Sequence, residues 1–84
     1  MFYVYILRSD FDGRYYIGHT EDLQSRLVRH NGGFVKSTKH RVPWRVVRTE
    51  AYVTHSEAYL REMQIKSMKG GILFKKLLGL IWNE

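Results

Sequence analysis

The sequence predicts a small α/β (α+β) fold: a mainly antiparallel three-stranded sheet flanked by helices, in the order β-β-α-β-α-α. Two stretches of β-branched and aromatic residues, 2–8 and 14–19, sit either side of a turn signal at Asp12-Gly13. A third such stretch, 44–53, begins after Pro43. Apolar residues at helical spacing, with capping and stop signals, fill most of the rest. The chain has 84 residues, enough for one modest core, so a single domain over residues 1–84 is expected.

In the first strand Tyr3, Tyr5 and Leu7 line one face and Phe2, Val4 and Ile6 the other. Both faces are apolar, which marks a central strand covered on both sides. A two-residue loop at Asp12-Gly13 would place Ser9 opposite Tyr16 and Leu7 opposite Gly18. In that register, or in any register shifted by an even number of residues, Tyr5 and Tyr16 share a face. Gly18 breaks the apolar run, as glycine does where another group approaches a strand closely, and leaves space beside Tyr5.

A helix is expected over residues 21–31, with Thr20 as N-cap, Glu21 and Asp22 at the positive end of its dipole and Gly32-Gly33 as its stop. Leu23 and Leu27 form its buried stripe, with Arg26 and His30 one turn apart at the stripe's edge. Residues 34–42 read as a loop, and 44–53 as the third strand. The next helix covers 54–69, where Thr54 and Glu57 have capping-box spacing. On it Ala58 and Ile65 mark one apolar side and Tyr59 and Met63 another, with Glu62 between them. A short third helix over 72–82 carries Leu73, Leu77, Leu80 and Ile81 as a packing stripe, weakened by Gly79 by roughly 1 kcal/mol.

Lysine and arginine number 14 against 8 acidic residues, a net charge of +6 that suits a polyanionic partner. Residues 34–48 hold Lys36, Lys39, Arg41, Arg45 and Arg48 without one carboxylate, so a strongly positive side is expected there. The absence of cysteine excludes disulfides and thiolate metal sites and suits a reducing, cytoplasmic setting. Residues 4–7 lack the flanks of a signal peptide, and the apolar segment 72–82, interrupted by Lys75 and Lys76, is too short for a bilayer. No membrane association or small-molecule cofactor is expected.

These residues resemble the GIY-YIG nuclease domain family, in particular its small stand-alone members and the N-terminal nuclease domain of the DNA-repair excinuclease. The first motif stands as Tyr3-Val4-Tyr5, with Tyr3 where the family name has glycine, and the second as Tyr16-Ile17-Gly18. Arg26 and His30 follow in the pattern D-L-x-x-R-L-x-x-H-N, and Glu62 in Arg61-Glu62-Met63. The match runs from Phe2 to about Lys69. The later asparagine of many members has no convincing counterpart, Asn83 lying almost at the end of the chain.

The resemblance implies metal-dependent hydrolysis of phosphodiester bonds in DNA, directed to DNA structure or damage in repair or recombination. Glu62 would hold Mg2+ or another divalent ion such as Mn2+, which tolerates a sparse protein shell because it keeps waters and takes ligands from the substrate. Arg26 would contact the scissile phosphate. Tyr16 would position or deprotonate the attacking water, supported by Tyr5 and His30, while Lys36, Lys39, Arg41 and Lys66 would contact the nucleic acid. Targeting would rest on the basic loop, on self-association or on a protein partner. The second reading is a nucleic-acid-binding module that keeps the fold without cleaving.

Overall fold

The computed structural model describes residues 1–80. Strand β1 (Phe2–Ser9) lies between β2 (Tyr15–Thr20) and β3 (Trp44–Tyr52), and both pairings are antiparallel. Helix α1 (Leu23–Asn31) follows β2, a 3-10 turn (Lys39–Arg41) precedes β3, and α2 (His55–Met68) and α3 (Ile72–Leu77) close the described chain. The expected order and the central place of β1 are both observed. No helix among the described residues is long and apolar enough to cross a membrane.

The two faces of β1 organise two cores. Val4 and Ile6 pack with Ile17, Ala58, Ile65 and Phe74 beneath α2 and α3. Tyr5 and Leu7 pack with Trp44 and with the partly buried Leu23 and Leu27 of α1. Burying one such aliphatic side chain contributes about 1.5–3 kcal/mol. Asn31 joins α1 to β3: its side chain donates to the Trp44 carbonyl at 3.0 Å and accepts from the Trp44 N–H at 2.6 Å.

The hairpin is wider than two residues. The Ser9 hydroxyl accepts from the N–H groups of Phe11 and Asp12 at 3.1 and 3.2 Å, and the chain closes through a bond from Ser9 N–H to the Arg14 carbonyl. This shifts the register by two residues, setting Leu7 opposite Tyr16 and Tyr5 opposite Gly18. The shift is even, so Tyr5 and Tyr16 share a face.

Helix α1 starts later than expected because Thr20 stays in β2. Its hydroxyl accepts from Asp22 N–H, while the Asp22 carboxylate caps the helix by accepting from Ser25 N–H at 3.0 Å. Helix α2 has the expected reciprocal capping box of Thr54 and Glu57. Helix α3 is shorter than expected. Gly79, at a φ of +72, lets the N–H groups of Gly79 and Leu80 turn back to the Lys76 and Lys75 carbonyls and end the helix. Phe74 anchors it while Leu73 and Leu80 are exposed. The predicted helical positions Ile81 and Trp82, and Asn83, lie outside the described residues.

The cation-rich stretch is less positive in space than in sequence. Arg41 pairs with Asp12 at 3.0 Å, Arg45 with Asp10 at 3.2 Å and Arg48 with Glu50 at 2.8 Å, each carboxylate coming from outside residues 34–48. Glu50 also accepts from Arg61 at 2.7 Å and from the Tyr52 hydroxyl at 2.8 Å, tying β3 to α2. Hydrogen bonds from Arg61, outweighing burial and reinforced by Tyr52 and Arg48, draw its carboxyl down to about 2. Such a group stabilises the fold fully above the ordinary glutamate value of about 4.3, and that contribution fades as pH falls through the lower value. Glu50→Gln is therefore expected to lower the unfolding midpoint at neutral pH and to flatten the acid limb between about pH 4.3 and 2, as read by circular dichroism melts.

Candidate active site

Residues contributed by β1, β2 and α1 meet around Tyr5. Tyr5 is 1% exposed, and its hydroxyl lies 3.1 Å from His30 Nε2. His30 is the fully buried residue of α1, and its Nδ1 lies 2.8 Å from the Thr38 hydroxyl. Thr38 in turn donates to the Val35 carbonyl at 3.4 Å, leaving its oxygen to accept from Nδ1–H. That tautomer makes Nε2 the acceptor for the Tyr5 proton. Burial, followed by the charges of Arg26 and Arg29, holds the His30 ring below the ordinary histidine value, so it is neutral at physiological pH.

Burial and the neighbouring Tyr16 push the Tyr5 phenol up to about 12; the Arg26 guanidinium opposes that shift and the Glu62 carboxylate adds to it. Tyr5 is therefore a proton donor across the physiological range and not a base. Tyr16, half-buried, stacks at 6.3 Å from the Tyr5 ring and meets the His30 and Trp44 rings edge-on at 4.8 and 6.4 Å. Its hydroxyl makes no hydrogen bond among the described residues, which leaves it available to a ligand.

Gly18 is what allows Tyr5 this position. A Cβ there would stand 2.6 Å from the Tyr5 hydroxyl and 2.8 Å from Cζ, closer than real Cβ contacts come.

Arg26 is half-buried and takes part in none of the ion pairs among the described residues; Asp22, one turn earlier, is engaged as the helix cap. Arg26 lines an open cleft of about 420 Å³ with Arg29, His19 and His55, and with two carboxylates, Glu21 and Asp22. The two arginines are unpaired among the described residues, while Asp22 is engaged as the cap of α1.

Glu62 comes from α2, on the other face of the sheet. It belongs to that helix's buried stripe with Ala58 and Ile65, and is 7% exposed. Tyr59, Leu60 and Met63 face outward instead. Oε1 lies 2.5 Å from His19 Nδ1 and Oε2 lies 2.7 Å from Lys66 Nζ. Burial pushes the carboxyl up, but the bonds from Lys66 and His19 prevail and hold it below the ordinary range, so it is ionised.

No three His, Asp or Glu side chains converge to form a metal cage among the described residues. The donor chemistry nevertheless fits a hard divalent cation, because one ionised, ordered carboxylate suffices for an ion that keeps its own waters.

Of the expected nucleic-acid contacts, Lys36 and Lys39 are exposed and unpaired among the described residues, whereas Arg41 is committed to Asp12 and Lys66 to Glu62. None of the four lines the cleft. Lys69 is held below the ordinary lysine value by burial and by the charges of Lys66, Arg14 and Arg41.

Sequence reasoning missed Thr38, His19, Arg29 and His55. His19 carried a usable signal: in β2 it shares a face with Tyr15 and Ile17, both packed in the α2 core, where an imidazole needs a polar partner.

A three-stranded antiparallel sheet with two stacked tyrosines, flanked by a helix bearing Arg26 and His30 and a helix bearing Glu62, defines the class: a small α+β domain. A profile of the GIY-YIG catalytic domain matches residues 1–73, and the chain belongs to the GIY-YIG family. A UPF0213 protein of Staphylococcus epidermidis is 42% identical over 66 residues, spanning 77% of this chain and 79% of its own. A UPF0213 protein of Halobacterium salinarum is 41% identical over 69 residues, spanning 81% and 88%. A solution NMR structure of a UPF0213 protein from Bacillus halodurans is 35% identical, covering 90% of this chain and 94% of that one, with a TM-score of 0.48. Domains of this family are generally endonucleases acting on DNA with divalent metal ions.

The close approach at Gly18 has a direct consequence. Gly18→Ala is expected to cost about 1–3 kcal/mol by forcing Tyr5 off His30, measured by urea denaturation. The His30 ring resonances should shift in the same variant.

Proposed function

We propose that this chain is a metal-dependent DNA endonuclease, directed to DNA structure or damage and serving repair or recombination in the cytoplasm. The observation that carries this reading is geometric: the buried Tyr5 hydroxyl meets His30 at 3.1 Å beneath the stacked Tyr16 ring, Arg26 of the same helix lines the cleft, and His19, which lines that cleft too, holds the carboxylate of Glu62 on the far side of the edge strand. A purely binding module has no use for an ionised, ordered carboxylate close to a phosphate site.

Glu62 would hold the divalent ion, Mg2+ or Mn2+, which when bound supplies electrophilic stabilisation of phosphoryl charge. Arg26 binds the scissile phosphate and offsets the charge that builds on its oxygens, a role suited to a permanent charge whose forked donors no ion pair among the described residues engages. Tyr16 presents its unbonded hydroxyl to the attacking water and orients it. Tyr5 and His30 act behind it. The neutral imidazole accepts the Tyr5 proton, and the pair fixes the ring against which Tyr16 packs. Lys36 and Lys39 contact the nucleic-acid backbone outside the cleft, and Lys66 and Arg41 would join them on leaving Glu62 and Asp12.

The test incubates the purified chain with supercoiled, branched and single-stranded DNA, with Mg2+ or with chelator. Nicking should require the ion, and Arg26→Ala and Glu62→Ala should each lower the rate by about 100-fold or more. No nicking on any substrate, or variants as active as the parent, would sink the catalytic reading. Salt-sensitive binding that persists in both variants without cleavage would instead favour the binding module.

A further inference from the structure

We infer that the two oxygens of Glu62 have different jobs: His19, backed by His55, holds Oε1 in place, while Lys66 occupies Oε2 as an exchangeable occupant of the divalent ion's position. The inference rests on the reading of Glu62 as the metal-holding residue and assigns positioning roles to two residues around it.

The two contacts differ in kind. A carboxylate can only accept, so the 2.5 Å contact fixes the His19 proton on Nδ1. The opposite nitrogen, Nε2, then meets His55 Nε2 at 3.1 Å, and the His55 ring stands edge-on to Phe2 at 5.6 Å. His19 therefore cannot swing away without breaking contacts on both sides of its ring. Its side chain is only 22% exposed, and it stands on a strand paired to the centre of the sheet.

Lys66 is the more accessible partner. It lies one turn beyond Glu62 on the same helix, its side chain is 47% exposed, and its ammonium makes no other ion pair among the described residues. The ammonium can leave into water, but the buried carboxylate cannot follow, so Oε2 then needs another cation in its place. His19 thus keeps one oxygen fixed, and Oε2 is the oxygen that would be given to a divalent ion, with Lys66 released and its ammonium left available to a phosphate oxygen.

Partners that orient a metal-ligating group in this way generally matter to metal affinity by about 10–100-fold. His19 is accordingly a positioning residue, and Lys66 a competitor for the same oxygen until the ion arrives.

The experiment measures Mn2+ binding to the full chain without DNA, by isothermal titration calorimetry and by the loss of the free-ion electron paramagnetic resonance signal. His19→Ala should weaken binding at least tenfold. His19→Asn should recover most of that loss, because the asparagine amide N–H falls near the place of Nδ1–H, whereas His19→Gln, with its amide one carbon further out, should not. Lys66→Met should tighten binding by about twofold to fivefold, since the ammonium no longer competes for Oε2. That increase is a gain which a damaged fold would not produce. Glu62→Gln should abolish binding.

Unchanged affinity in His19→Ala, or weaker binding in Lys66→Met, overturns the division of labour while the loss in Glu62→Gln leaves the metal role of Glu62 standing. Equal binding by Glu62→Gln and the parent, or no binding by the parent, overturns both.

Discussion

The buried hydrogen bond between Tyr5 and His30 is the contact on which the rest of this molecule depends. It joins the central strand to α1 through two side chains with almost no exposure, one from each element. An unpaired hydroxyl or imidazole at such a depth would cost about 1–3 kcal/mol, so the pairing sets the height and rotation of α1 over the sheet. Thr38 completes the chain by taking the other ring nitrogen, which draws the segment after α1 down onto the same core. The Trp44 indole then donates to the Thr38 carbonyl at 3.0 Å, carrying the constraint to the start of β3. Arg26, one turn before His30, stands over the cleft because His30 is locked beneath it.

A second set of polar contacts explains why α2 looks ill-patterned. An amphipathic surface helix presents an apolar stripe to the core and polar residues to water. Here the buried stripe includes a carboxylate, while Tyr59, Leu60 and Met63 are exposed at 47, 67 and 46%. Apolar burial alone would not choose this rotation. What holds it is the capping box at Thr54, Arg61 on Glu50, and His19 on Glu62. Burial of Glu62 is unfavourable in itself and is offset only by donors at both oxygens. An arrangement of this kind is expected where geometry at one atom matters more than burial.

How much of this can be read from the chain alone follows from the range of each interaction. The shared face of Tyr5 and Tyr16 needs only strand parity, and the turn widens by two residues without altering it. The space beside Gly18 is legible because glycine in a strand has few other reasons to occur. The cap of α2 is legible because its partners are three residues apart. By contrast, His19 and Glu62 are 43 positions apart, and Arg61 and Glu50 are on different elements, so no local pattern joins them. The start of α1 escapes the sequence for a subtler reason. Thr20 and Asp22 are both good caps, and the choice between them is made by β2, which keeps Thr20 in its ladder opposite Tyr3. Gly79 counts in a helical pattern as a weak residue, whereas its positive φ makes it the stop.

Sheet order supplies the last constraint. Tyr5 and Arg26 lie on the α1 face, and Glu62 belongs to the α2 face, so the sheet itself stands between them. Groups on opposite faces can act on one another only around an edge, and β2 is an edge strand because the order is β2-β1-β3. At that edge the residue opposite Tyr5 is Gly18, and the next one, His19, points to the other face and holds Glu62. Had β2 been central, a further strand would have extended the sheet between the phenol and the carboxylate. Had Gly18 carried a side chain, the Tyr5 hydroxyl could not have kept its place over that strand. The adjacent pair Gly18-His19 therefore does two opposite things at one place in the sheet: it opens one face to Tyr5 and fastens the other to Glu62.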